Sequence, residues 1–495
     1  RAGVMAARFA AFGSRLWARQ GLRVPLGALA AGAAGLGGLG RSPLRADSMD
    51  DASNLKPHHL ATWQDTSKGL VPERRFNRVK SPLVIELPDM NFLNPDELVF
   101  GHIILNDSKA ASRDVALKKG CVRANACRDI WWEPSEVRAA IVTCGGLCPG
   151  LNSIIREVTN CLWDQYGVRS IVGIQGGYSG LSNPEAYPPV ELNPTVVREI
   201  HMKGGSVLKA GRGGFDAAKI CDNLQEMGIN MLFTVGGDGT QGAAFLLFEE
   251  AKRRNMHLSI VGVPKSIDND ILVFEKTFGF DTAVAQASEV ITNAWNEANS
   301  CKKGVGIVKL MGRDSGFVAM SAALASTLVD LVLIPEVSVK AEDVLAYVDS
   351  TLARKGHMVI AVAEGAGQEY VSTGKKDATG HTIYGDIGTF LRDKVNKHLA
   401  ASGGECFYFD PSYIIRSCPI RPNDHIYCAR LSRDAVHTAM RGYTGVCVGP
   451  IHNILVIIPA NLIARGKRAV KKTSSSWQSC VQVCNMPGNL TGLDA

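Results

Sequence analysis

The chain has 495 residues, 46% of them hydrophobic and 20% charged, enough apolar material for one large core or two. No run of about 18 strongly apolar residues occurs, so no membrane-spanning helix is expected. Lys and Arg outnumber Asp and Glu by 54 to 47, yet residues 1–46 alone hold seven Arg and no acid, so the rest of the chain is neutral. That placement argues against a nucleic-acid partner.

Residues 1–46 are Arg-rich, Ala-rich and acid-free, with Met5, Phe9, Phe12 and Leu16 at helical spacing and Arg8, Arg15 and Arg19 on other faces. They read as a targeting peptide. A plastid destination is favoured, with mitochondrion or cytoplasm as alternatives, because serine is scarce; a disordered tail is the plainer explanation of the same composition. Residues 47–134 are polar and irregular and are expected to form an extension packed on the body. From Val137 short apolar runs begin: Val137–Thr143, Ser170–Ile174, Asn230–Val235, Leu258–Val263, Gly304–Leu310, Leu331–Ile334 and His357–Ala363. Candidate helices lie between and beyond them at Asn152–Gln165, Gln241–Arg254, Thr282–Asn299, Ala341–Arg354 and Asp386–Leu399. Strands alternating with helices imply an α/β protein with parallel-rich sheets covered on both faces, here two doubly wound Rossmann-like lobes. Ligands then belong in the cleft beyond the C-terminal strand ends. The expected lobes are 135–280, with part of 417–446 returning to it, and 281–416. A C-terminal segment, 447–495, follows, and its Lys-rich stretch after about 466, with Thr473 and Ser474–Ser476, is expected to be solvated. Thirteen Cys are scattered without a C-x-x-C pair. Cys144/Cys148 and Cys480/Cys484 lack zinc-spaced partners, which favours buried, reduced thiols.

Four motifs carry chemistry. Thr143 to Asn152 joins the first strand to a helix, and Gly145 and Gly146 let the backbone turn tightly toward an anion at the helix N-terminus. A tight strand–helix turn without a ligand would look the same. In Gly236-Gly-Asp-Gly-Thr240 glycines bring amides to phosphates, and Asp238 offers Mg²⁺ a hard oxygen. In Pro264-Lys-Ser-Ile-Asp-Asn-Asp270 the alternation of Asp268 and Asp270 lets both face one cleft, where a carboxylate can act as a base toward an alcohol. In Met311-Gly-Arg-Asp-Ser-Gly316 Arg313 suits bidentate phosphate contact. Glu364 ends another apolar run, where acids bind sugar hydroxyls or cap helices.

Gly-Gly-Leu-Cys-Pro-Gly-Leu-Asn (145–152), Gly-Gly-Asp-Gly-Thr (236–240), Pro-Lys-Ser-Ile-Asp-Asn-Asp (264–270), Thr-Phe-Gly-Phe-Asp-Thr-Ala (277–283), Met-Gly-Arg (311–313) and Tyr-Ile-Ile-Arg (413–416) occur in that order. The combination resembles the 6-phosphofructokinases, most closely the plant-type ATP-dependent group, over roughly 75–446. The resemblance implies phosphoryl transfer from ATP to the 1-hydroxyl of fructose 6-phosphate, a glycolytic step, with Mg²⁺ as cofactor. It implies a nucleotide site at Gly145, Gly146, Arg212, Gly213, Gly237, Asp238, Gly239 and Thr240, with Asp238 as the metal ligand. It makes Asp268 the base and Arg313 the stabiliser of the transferring group. Ser266, Ile267, Asp268, Met311, Gly312, Arg313, Glu364, Tyr413 and Arg416 are then the fructose 6-phosphate site. It further implies a homotetramer and an allosteric enzyme, although no residue names an effector.

Gly239 stands where pyrophosphate-using relatives carry Asp, which favours ATP because a carboxylate there would crowd and repel a nucleotide's α-phosphate. Lys265 is shared with pyrophosphate enzymes, so a pyrophosphate-dependent phosphofructokinase is the alternative. Departures from the family pattern are Ser266 for Thr, Phe407 for a basic residue, and Gly304 for an Arg that bacterial relatives donate across a subunit boundary, where Lys302 or Lys303 could substitute. A non-catalytic regulatory subunit of the same fold is a second class; intact Asp238, Asp268 and Arg313 weigh against it. Kinases of NAD or lipids share Gly-Gly-Asp-Gly-Thr but would lack Met-Gly-Arg and Tyr-x-x-Arg.

Overall fold

In the computed structural model of the chain, residues 58–59, 79–93, 97–100, 120–375 and 383–493 are described. The expected targeting peptide, and much of the expected 47–134 extension, lie outside them. The principal strands, in chain order, are β1 Leu98–Phe100, β2 Gly120–Arg123, β3 Arg138–Thr143, β4 Ser170–Ile174, β5 Val190–Glu191, β6 Met231–Gly236, β7 Ser259–Pro264, β8 Gly304–Leu310, β9 Leu331–Leu333, β10 His357–Ala363, β11 Glu405–Phe409, β12 Val446–Ile451 and β13 Ile454–Pro459. The helices used below are α1 Leu151–Asn160, α2 Ala217–Glu226, α3 Asp238–Arg253, α4 Phe280–Asn299, α5 Phe317–Ser326, α6 Ala341–Lys355, α7 Ile387–Leu399, α8 Ser412–Ser417, α9 Pro422–Met440 and α10 Ser475–Val483.

Two sheets form. The larger has nine strands in the order β1-β2-β13-β12-β7-β6-β3-β4-β5. Its five central strands, β12-β7-β6-β3-β4, are parallel, and the pairs flanking them are antiparallel. The smaller sheet, β9-β10-β8-β11, is wholly parallel. Parallel strands are covered on both faces, so their residues are apolar throughout rather than alternating with polar ones. In β3, Ala140 and Val142 face one core with Leu224 of α2 and Leu247 and Phe248 of α3, while Ala139 and Ile141 face the core lined by α1 and α9.

Helix ends follow local chemistry. Asp216 and Asp386 cap α2 and α7 by accepting from the amides of Lys219 and Thr389, and Pro422 opens α9 where its missing N–H costs nothing. Asp238 lies in the first turn of α3, with Lys252 and Arg253 in its last, matching the helix dipole. Helix α4 turns Thr282, Ala283, Ala287, Ile291, Ala294 and Ala298 inward. The alanines among them let it lie directly on β8: a Cβ on Gly304 would come within 2.1 Å of the Ala298 carbonyl. An Arg at 304 would collide with that helix, which is the physical reason for one departure noted above. Phe407, another departure, pairs with Gly306 from inside β11, away from the strand ends.

The C-terminal segment differs from expectation. Strands β12 and β13 belong to the large sheet, so the chain's return to it continues to Pro459. Lys471, Thr473, Ser475 and Ser476 are exposed as expected, but the tail as a whole is anchored: Trp477 of α10 is fully buried and donates from its indole to the Thr491 carbonyl at 3.1 Å. Composition alone missed this, because one aromatic among many polar residues supplies the anchor. In the extension, Leu83, Ala126, Ile130 and Trp132 enter the core, and the Trp132 indole donates to Ser259 Oγ at 3.0 Å.

Candidate active site

The motifs at 143–152, 236–240, 264–270 and 311–316 each fall at the C-terminal end of a parallel strand. Beyond β3, Gly145 adopts φ +84° and its amide donates to the Gly211 carbonyl at 2.8 Å. That contact brings residues 145–146 beside 211–213. A Cβ on Gly146 would lie 3.5 Å from the Arg212 guanidinium, and one on Gly145 would lie 3.6 Å from Lys265 Nζ. Gly213 has φ +77°, a conformation that favours glycine. Beyond β6, Gly237 meets the Lys265 carbonyl at 3.6 Å from its ideal Cβ, whereas Gly239 faces open space. The Thr240 carbonyl accepts from the Tyr178 hydroxyl at 2.9 Å. Gln241 Nε2 donates to the carbonyls of Thr234, Gly236 and Val263, locking the ends of β6 and β7 together. Gly145, Gly146, Arg212, Gly213 and residues 237–240 therefore share one rim.

Beyond β7, Asn269 takes φ +56° and is held there by its own side chain, which accepts from the Thr277 amide at 3.0 Å and donates to the Glu275 carbonyl at 3.2 Å. The turn swings Asp268 toward the second sheet. The Arg313 amide donates to Asp268 Oδ2 at 3.4 Å and the Ser315 hydroxyl to the Asp268 carbonyl at 3.2 Å, so the two sheets meet at this residue. Asp268 Oδ1 is buried with no protein partner. Burial, then the facing carboxylates of Asp270 and Glu364, push the Asp268 carboxyl up to about 7, against the opposing pull of the Arg313 amide and Lys467. Ser266 Oγ donates to Asp270, and Ile267 is buried beside them.

The 311–316 turn needs Gly312 at φ +136°, and a Cβ on Gly365 would come within 1.8 Å of the Arg313 carbonyl. Glu364 thus sits against Gly312 and Arg313, its amide bonded to Leu310 and that of Gly365 to Gly312. Burial raises the Glu364 carboxyl, with Arg313, Lys309 and Arg416 acting to lower it. The Arg313 guanidinium lies 4.8 Å from the Tyr384 ring centre, and the Tyr384 hydroxyl donates to Asp314 at 3.1 Å. Arg416 lies over the Tyr413 ring at 4.2 Å on α8, where Tyr413 is 74% exposed.

Four residues were not singled out from the sequence: Lys467, Asp314, Tyr384 and Lys309. Lys467 Nζ lies 2.7 Å from Asp314, 3.0 Å from Asp270 and 3.9 Å from Asp238. Lys309 bridges Asp410 at 2.7 Å and Asp386 at 3.4 Å. Only the solvated-looking Lys-rich stretch hinted at Lys467. Among the described residues no group of three His, Cys, Asp or Glu side chains forms a self-sufficient metal cage. An ion of Mg²⁺ type does not need one, because it keeps waters and takes one or two carboxylates plus substrate phosphates. Asp238, in the first turn of α3 at the donor loop, is one such carboxylate.

The chain matches the family model described as Phosphofructokinase over residues 138–439. It is 40% identical over 427 residues to ATP-dependent 6-phosphofructokinase 4, chloroplastic, of Arabidopsis thaliana, covering 84% of this chain and 79% of that one. It is 40% identical over 411 residues to ATP-dependent 6-phosphofructokinase of Borreliella burgdorferi, covering 80% and 91%. It is also 41% identical over 369 residues to the Trypanosoma brucei brucei ATP-dependent enzyme, covering 73% and 76%. Among solved structures, a pyrophosphate-dependent phosphofructokinase from Marinobacter aquaeolei superposes with a TM-score of 0.60 at 18% identity, covering 70% of this chain and 91% of that one; at that identity the likeness speaks for the fold alone.

Proposed function

The chain belongs to the phosphofructokinase family, and from that we propose that it is an ATP-dependent 6-phosphofructokinase that moves the γ-phosphoryl group of ATP to the 1-hydroxyl of fructose 6-phosphate. The observation that carries the proposal is Asp268 with an unpartnered buried oxygen, held against the Arg313 backbone at the junction of the two sheets. A base works best with an affinity for protons near the working pH, which the raised Asp268 carboxyl meets. Asp268 Oδ1 accepts the proton of the sugar hydroxyl, and Arg313 spreads its charge over the transferring group. Gly145, Gly146, Arg212, Gly213, Gly237, Gly239 and Thr240 bind the nucleotide. Ser266, Ile267, Met311, Gly312, Glu364, Tyr413 and Arg416 bind the sugar phosphate. Asp238 would hold Mg²⁺, which neutralises donor phosphate charge when bound. The open space at Gly239 supports a nucleotide donor, as do the ATP-dependent relatives. The 135–280 lobe with its C-terminal return is the nucleotide side, and 281–416 the sugar-phosphate side.

Plastid import through residues 1–46 is part of the proposal, supported by their composition and by two Arabidopsis relatives named chloroplastic. So is a homotetramer, supported by the exposure of the large apolar side chains Tyr413, Ile414 and Ile426. Replacing Asp268 with Ala tests the chemistry. Turnover is expected to fall at least about a hundredfold with secondary structure unchanged; unchanged turnover would remove Asp268 from its role.

A further inference from the structure

After β13 and a short helix, Ala460–Ile463, the chain crosses the mouth of the cleft as a strap. On one side Lys467 forms an isolated antiparallel bridge with Ile271. Next to it the Arg468 amide donates to the Asp270 carbonyl at 2.8 Å, and its guanidinium to the Phe274 carbonyl at 3.1 Å. On the other side the Arg468 guanidinium stacks 4.5 Å from the Phe317 ring centre. The Val470 amide donates to Glu336 Oε1 at 2.7 Å, the same oxygen that takes the Gly316 amide at 3.0 Å. The strap is therefore fixed to elements of both sheets, and its lysine is aimed by backbone on each flank.

That lysine points into the space between the donor loop and the candidate base. Asp238 opens α3 in the Gly236–Thr240 loop, Asp270 follows Asp268 by two residues, and Asp314 follows Arg313 directly. Three carboxylates drawn from three loops would repel one another without a cation among them. The Lys467 ammonium is the cation that holds them, with 33% of its side chain still exposed to the cleft. A flexible ammonium also serves as a point charge for phosphate. Lys467 lies past residue 439, where the match to the family model ends.

We propose that Lys467 is a positioning residue of the phosphoryl-transfer site: its ammonium orders Asp238, Asp270 and Asp314 across the cleft and so presents Asp238 to the nucleotide donor. The proposal rests on the function proposed above. It separates the lysine's charge from the strap's structural role, since the backbone contacts of 468 and 470 stay in place when only the side chain at 467 changes.

The test compares the full-length protein with Lys467→Met and Lys467→Arg. Titration with a fluorescent ATP analogue is read first, then steady-state kinetics with ATP and fructose 6-phosphate varied separately, alongside thermal unfolding. Lys467→Met is expected to weaken nucleotide affinity and raise the KM for ATP about tenfold, with the KM for fructose 6-phosphate within about twofold, as for loss of one charge-assisted contact. Lys467→Arg is expected to recover most of the nucleotide affinity and to unfold near the parent temperature. Equal nucleotide affinity in parent and Lys467→Met would overturn the proposal. So would a loss that Lys467→Arg does not recover and that follows a lowered unfolding temperature, since that is the mark of a strap alone. A parent protein without ATP-driven turnover would instead sink the proposed function, while the nucleotide titration still decides the role of Lys467.

Discussion

Asp268 keeps its carboxylate where burial, Asp270 and Glu364 all oppose the charge, and the cost of that arrangement has a sign that can be measured. A carboxyl whose folded value is raised binds its proton more tightly folded than unfolded, so the ionised form destabilises the fold. The penalty begins above the ordinary value of about 4 and is complete above about 7. Asp268→Asn, which removes the charge and keeps the shape, should therefore raise the unfolding temperature at pH 8 while abolishing turnover. The gain should vanish near pH 4. A variant that is less stable at pH 8 would mean that Asp268 is a structural acid. At this scale the sequence was informative wherever chemistry demands a rare residue pattern, as for Asp268, Arg313 and the Gly236–Thr240 loop. It was uninformative for Lys467, because a lone lysine in a Lys-rich stretch carries no spacing signal and its meaning arises only from three carboxylates distant in the chain.

At the scale of elements, α3 carries in its first turn a residue that bears on the choice of donor. Gly239 sits in its first turn with nothing within 4 Å of where a Cβ would be. Gly239→Asp should therefore fold normally, an acid near a helix N-terminus being favourable. It should lower kcat/KM for ATP at least about tenfold by placing a like charge against the nucleotide. Unaltered use of ATP would remove position 239 from donor selection. Helix α10 makes a different prediction. Trp477 is fully buried, and truncating such an aromatic typically costs about 3–5 kcal/mol, so Trp477→Ala should lower the midpoint of denaturant unfolding. An unmoved midpoint would show the tail to be dispensable. The seven strands read from apolar runs lie within a residue or so of those observed, because parallel strands buried on both faces leave uninterrupted apolar stretches. The last turn of the first expected helix is instead a π-helical turn, Cys161–Gln165. The antiparallel pair β12 and β13 and the anchored tail were not read, since they follow the last motif and no helix lies between the two strands.

At the scale of the molecule, the arrangement of two sheets with chemistry at their facing C-terminal edges follows from the βα alternation alone. The proposed division into a nucleotide side and a sugar-phosphate side depends on which loops carry carboxylates and which carry the arginines. Residues 1–46 hold the whole basic excess, so their removal should leave a neutral protein with the chemistry intact. The most direct test of the proposed function is a coupled assay of fructose 6-phosphate phosphorylation on that shortened protein with Mg²⁺, supplying ATP or pyrophosphate in turn. Turnover with ATP and none with pyrophosphate is the expected result. Turnover with pyrophosphate alone would contradict it and make Lys265, rather than Gly239, the residue that selects the donor.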